Sequence, residues 1–230
     1  MSRFINTLKA DVKFQFRQGF YFVYLLLVIV YIAVIFQVGP KAAVIVVPVI
    51  IFFDPSFVGF FFIGGLVLLE RQQGITGYLG ITPVTTGEYM WSKMISMAVL
   101  ALVASIGLAA LSGISFNIPV LIVGVILSSL FFTLIGFLSV ASCRTMNEYF
   151  FRMIPYILMI TLPAIGLLDK PWAILFRFTP TFAGLRMMLD AFNGVDAGRS
   201  LLDTAVLIFW CAVLYIPVKN RFDKKAIRGE

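Results

Sequence analysis

The chain has 230 residues, 61% of them apolar and only 13% Asp, Glu, Lys or Arg, with 18 basic against 11 acidic side chains and a net charge of +7. A water-soluble domain of this size carries roughly 25% charged residues because its surface must face water, so the composition excludes one and points to an all-α integral membrane protein. The charges sit at the ends of apolar runs rather than in one patch, which speaks against nucleic acid as partner and for anionic lipid headgroups and loops retained in the cytoplasm.

Residues 3–18 open the chain. On a helical wheel Phe4, Ile5, Leu8, Val12 and Phe16 share one arc, and Arg3, Lys9, Lys13 and Arg17 fill the arc beside it; Phe14 alone falls out of place. This pattern predicts an amphipathic helix lying in the membrane plane. A spanning helix needs roughly 20 apolar residues, and the apolar runs predict six spans, at about 19–36, 44–69, 94–113, 119–142, 153–168 and 201–218, within a single membrane domain covering 1–230. Gly39-Pro40 turns the chain after the first span. Pro48 and Asp54-Pro55 are expected to break the second, and Pro155 and Pro163 fall in the fifth.

Between spans 5 and 6 the connection is too apolar for a passive turn. Thr179-Pro180 reads as an N-cap followed by proline at the first helical position, Phe182, Leu185, Leu189 and Phe192 follow at helical spacing, and Asn193-Gly194 is a stop signal. Short helices dipping back into the outer leaflet are expected here. For orientation, Lys and Arg number thirteen on the side holding both termini and five on the other, namely Lys41, Lys170, Arg177, Arg186 and Arg199. The positive-inside rule therefore predicts cytoplasmic N- and C-termini and an even number of spans.

The connection from Glu70 to Lys93 has the most specific pattern. Ile75, Tyr78 and Leu79 share a helical face, Thr82-Pro83 ends that turn, and Thr85 with Glu88 has capping-box spacing that starts the helix of span 3. The ordered set Glu70-Arg71, Thr82-Pro83, Glu88-Tyr89 and Lys93 resembles the signature of ABC-2 type transporter permeases. With Arg17-Gln18-Gly19-Phe20-Tyr21, Asp54-Pro55, Gly59 to Gly64 and Pro180, it is similar to the subgroup labelled fluoroquinolone-export permease.

The resemblance implies a permease subunit of an ATP-binding-cassette exporter, moving a hydrophobic or amphipathic solute such as a drug, lipid or peptide-like molecule. It implies pairing with a second permease subunit as a homo- or heterodimer, and a separate ABC ATPase subunit that binds ATP and Mg. In that reading the N-terminal helix is the elbow helix. The 2–3 connection is the coupling helix, with Glu70, Arg71, Gln72, Tyr78, Thr82, Pro83 and Glu88 at the ATPase interface. The chain itself carries no GxxxxGK[ST] loop to cradle phosphates, so no enzymatic activity is expected of it.

Asp54 is an ionisable residue inside an apolar stretch, where the default is a functional site facing a cavity; it also reads as a cap on the half-helix that restarts at Pro55. Phe57 and Phe61, in the Phe-rich run that includes Phe60 and Phe62, read either as a greasy substrate route or as packing. Glu70 and Arg71 read alternatively as a local ion pair, and Asp203 as a hydrated residue near the outer surface. Gly64, Gly65, Gly107 and Gly136 suggest close helix contacts. Cys143 and Cys211 lie far apart, without a CxxC, and histidine is absent. That excludes His-dependent proteolysis and His-ligated metal chemistry. A membrane enzyme of another type and a non-transporting immunity or scaffold protein remain as alternatives.

Overall fold

One helix, Ile118–Val140, touches most of the others. It holds the centre of the computed structural model, which describes residues 2–54, 56–75, 83–161 and 176–224. The described residues form nine helices: α1 Ser2–Arg17, α2 Phe20–Gln37, α3 Pro40–Phe53, α4 Val58–Gln72, α5 Thr86–Leu111, α6 Ile118–Val140, α7 Met146–Thr161, α8 Pro180–Asn193 and α9 Ala197–Phe222. Around α6 stand α3, α4, α5, α7, α8 and α9. By length and hydropathy five described segments are able to cross a bilayer: Phe20–Gln37, Lys41–Gln72, Thr86–Leu111, Ile118–Val140 and Ala197–Phe222. Of the expected fifth span only the first part is described, within α7; residues 162–168 lie outside the described set.

Local chemistry places the helix ends. Thr85 and Glu88 form the capping box expected of them, so α5 starts at Thr86, a full two turns before the apolar run begins. Asn117 caps α6 through the Val120 N–H, and Thr179 caps α8 ahead of Pro180, with Gly194 at its C-terminal end. Gly19 turns α1 into α2 in the left-handed region, at φ 76°, where a side chain would be strained.

Three positions, Pro48, Asp54 and Gly107, depart from expectation. Pro48 does not interrupt α3, which continues through it to Phe53; the break falls only at 54–57, between α3 and α4. Asp54 does not cap the second half of that span, since the N-cap position of α4 is Phe57 and no side chain bonds there. Gly107 faces open space rather than a neighbouring helix.

The close contacts occur elsewhere. A Cβ on Gly136 would meet Ile63 at 2.2 Å and the Phe60 backbone at 3.2 Å, and one on Gly59 would meet Thr133 Oγ1 at 1.9 Å, so α4 and α6 approach backbone to backbone. Gly64 is filled by the Tyr149 ring, whose hydroxyl donates to the Phe60 carbonyl. Phe57 stacks on Phe132 with ring centroids 3.8 Å apart. By contrast α2 leaves Phe22, Leu25, Leu26, Ile29, Val30 and Phe36 exposed, as a helix facing lipid would.

Candidate functional site

The polar centre of the molecule assembles where α1, α4 and α5 meet. On α1, Asp11 and Gln15 are one turn apart and share a face; on α5, Ser92 and Ser96 do the same. Packing the two helices side by side pairs them rung by rung: Ser92 Oγ donates to Asp11 Oδ2, and Gln15 Nε2 donates to Ser96 Oγ at 2.8 Å. Lys93, between those serines, sends its ammonium to Asp11 Oδ1 at 2.7 Å and to Glu70 Oε1 of α4 at 2.5 Å. Tyr89 donates to the other Glu70 oxygen at 2.5 Å, and the Lys93 Nζ lies 4.6 Å from the Tyr89 ring centroid.

Every member of this cluster is buried, with Lys93 at 0%, Glu70 at 4% and Asp11 at 6% exposure. Charges removed from water are tolerated only when paired and fully hydrogen-bonded. Here both carboxylates share one ammonium and each takes a further hydroxyl. Three chain segments are thereby tied at one end of the bundle, and α1 presents a polar face to the protein while Val12 and Phe16 stay exposed on its far side. Phe14, out of place on the wheel, lines a 380 Å³ cavity with Asn6, Asp11, Glu70, Ile75 and Tyr89.

The same end carries the other residues singled out from sequence. Arg71 donates to the carbonyls of Cys143 and, at 3.3 Å, Ala141, so its guanidinium closes the C-terminal end of α6, where a cation suits the helix dipole. Glu88 is occupied by its cap, accepting from Thr85 N–H at 2.8 Å and from the Thr85 hydroxyl. Pro83 is exposed, and its carbonyl accepts from Arg3 at 3.1 Å, which ties the connection to the first turn of α1. Gln72 is exposed at the end of α4. Thr86 donates to Asp223 at the end of α9. Tyr78, Leu79 and Thr82 lie outside the described residues, as does Pro55.

Asp54 is far from this cluster. Its Oδ1 accepts from Tyr31 of α2 at 3.0 Å, and no described residue bonds Oδ2. Phe57 is core packing, while Phe61 is 40% exposed on the outside of α4. Asp203 is not a hydrated residue: it is fully buried and takes both nitrogens of an Arg186 fork, with Nε to Oδ2 at 2.7 Å. The pair clamps α8 to α9, while Asn117 N–H donates to the Ala191 carbonyl and links α8 to the turn before α6.

The ionic cluster is not local in sequence: Asp11 is a single acid on a basic helix, and its partner Lys93 stands on a different element. The legible signal was the pair of four-residue steps, Asp11/Gln15 and Ser92/Ser96. No group of His, Cys, Asp and Glu able to hold a metal occurs among the described residues. The arrangement ties α1, α4 and α5 to one another.

The family profile of the fluoroquinolones export permease proteins matches residues 2–230, essentially the whole chain. The chain belongs to this family. Two relatives named fluoroquinolones export permease protein, from Mycobacterium tuberculosis strains CDC 1551 / Oshkosh and ATCC 25618 / H37Rv, are each 26% identical to it over 201 residues, covering 85% of this chain and 84% of theirs. The permease family and the apolar helices together make it a multi-pass membrane protein of the ABC-2 permease type, as the motifs between Arg17 and Lys93 suggested.

Proposed function

We propose that the chain is the permease subunit of an ATP-binding-cassette exporter that moves an amphipathic, drug-like solute and is driven by a separate ATPase subunit. The observation that carries this reading is the Lys93 cluster. It fixes α1, α4 and α5 to one another on either side of the connection between Gln72 and Thr86. A force applied to that connection by a partner is delivered to both flanking spans and to α1 together, instead of being lost in a loose loop. The relatives' names supply the solute class, fluoroquinolone-like amphiphiles.

In this reading six spans cross the cytoplasmic membrane and both termini are cytoplasmic. α1 is the elbow helix, with Val12 and Phe16 in the lipid boundary, and α8 returns into the outer leaflet. The connection's exposed edge, at Gln72, Pro83 and the capped Glu88, faces the ATPase, while Glu70 and Arg71 act behind it by holding α4 in place. Two such permeases complete the exporter.

The test is to co-express the chain with candidate ABC ATPase subunits from its own genome and to measure co-purification, ATP hydrolysis and solute efflux. Co-purification is expected, and Glu88→Arg, which opens the capping box of α5 at a cost of about 1 kcal/mol, is expected to leave a folded chain in which hydrolysis no longer drives efflux. A well-folded chain that captures no ATPase in detergent or nanodiscs overturns the proposal.

A further inference from the structure

An apolar cavity lies between α5, α6 and α9. It measures 400 Å³ and its lining is almost wholly apolar, including Met94, Leu130, Leu134 and Ile208. One end is closed by Trp91 of α5 and Tyr215 of α9, whose ring centroids are 5.6 Å apart. Indole and phenol side chains favour the boundary between hydrocarbon and headgroups, so this end marks the depth of the membrane surface on the side of the Lys93 cluster.

One turn beyond the aromatic pair, the chemistry changes on both helices at once. Gly87 stands four residues before Trp91, and Lys219 four residues after Tyr215. The two meet: a Cβ on Gly87 would lie 3.7 Å from the Lys219 ammonium. Four residues of helix rise about 6 Å, which is the step from the top of an acyl chain to its phosphate. Lys219 forms no ion pair with a described residue, and Arg221 and Lys224 follow it, both exposed. The neighbouring acids are engaged, Glu88 in its cap and Asp223 with Thr86. The missing side chain at Gly87 is what lets the Tyr215 hydroxyl, 3.2 Å from where a Cβ would stand, and the Lys219 stem pack against α5.

We propose that this groove binds one anionic phospholipid, its acyl chain along Met94, Leu130, Leu134 and Ile208 and its phosphate at Lys219. The occupant is selected by that order of surfaces: an apolar slot, an amphipathic aromatic collar, then a cation that pairs with no described residue. A wholly hydrophobic guest would leave Lys219 unused, and a soluble anion would leave the slot empty. The site is separate from the Lys93 cluster and does not depend on the transport reading.

The full-length chain, purified in detergent, is offered equal amounts of phosphatidylglycerol and phosphatidylethanolamine with identical acyl chains and read by native mass spectrometry. One phosphatidylglycerol is expected to be retained about fivefold over the zwitterionic lipid, the effect of one cation near an anionic headgroup. Lys219→Ala should remove the preference while lipid still binds, and Ala212→Phe, which fills the slot, should remove the lipid. Equal retention of the two lipids by the unmodified chain, or undiminished retention by Ala212→Phe, overturns the site. A second measurement is independent of how that variant folds. In a Trp172→Phe/Trp210→Phe chain Trp91 is the single tryptophan, and in nanodiscs phosphatidylglycerol with brominated acyl chains should quench it more than brominated phosphatidylethanolamine at the same mole fraction. Equal quenching also overturns it.

Discussion

Lys93 and Asp11, 82 positions apart in the chain, form a 2.7 Å ion pair that neither α1 nor α5 could tolerate alone. The Lys93 ammonium also holds Glu70, so removing it strands two buried carboxylates. Lys93→Met is expected to destabilise the protein by about 3–5 kcal/mol, the cost of breaking a buried pair. Thermal unfolding in detergent measures this. The triple variant Asp11→Asn/Glu70→Gln/Lys93→Met, which keeps acceptors for Ser92 and Tyr89 but no charge, should recover most of the loss. Equal instability of the single and triple variants would mean that the charges are not what binds the three helices.

The contact between α4 and α6 makes a sharper steric prediction. Gly136→Val must push Ile63 and the Phe60 backbone aside, and overpacking of this kind costs about 1–3 kcal/mol. Gly107→Ala meets nothing within 4 Å and removes a helix-interior glycine, so it should be neutral or slightly stabilising. The pair of melting temperatures distinguishes real close approach from a general dislike of larger residues.

At the other end of the bundle, Asp203→Asn removes the charge that the Arg186 fork addresses. The Arg186 head is only partly shielded, with 21% of its side chain exposed, so water softens the loss to about 1–3 kcal/mol. Hydrogen exchange should rise in α8 and the first turns of α9 and stay unchanged in α1. Uniform deprotection across the bundle would show that the clamp is not local.

Orientation is open to direct labelling. In a Cys143→Ala/Cys211→Ser background, Gln73→Cys lies exposed beside the Lys93 cluster, and Val195→Cys lies exposed after α8. An impermeant maleimide applied to intact cells should label position 195 at once and position 73 only after permeabilisation. The reverse pattern would invert the proposed topology.

Arg71 offers a further check on what holds α4 against α6. Its guanidinium satisfies two carbonyls at the α6 end, and a cation there contributes up to about 2 kcal/mol. Arg71→Gln should lower the melting temperature measurably while Gln72→Ala, at an exposed position, should not.

Much of this was legible in the residues themselves. Apolar runs of spanning length, the Thr85/Glu88 and Thr179-Pro180 caps, and the motifs between Arg17 and Lys93 all depend on neighbours a few positions away. Helix initiation, turn chemistry and transfer of apolar surface out of water act at that range. Hence the all-helical membrane class and the family were readable without coordinates. Which polar residue meets which was not. Asp11 became a partner of Lys93, Asp203 became a buried clamp, Asp54 turned to Tyr31, and Pro48 stayed inside its helix, because each outcome depends on an element brought alongside from elsewhere in the chain. A buried charge is stable only beside a specific counterpart, and only the packing of α1, α4 and α5 decided where that counterpart would stand.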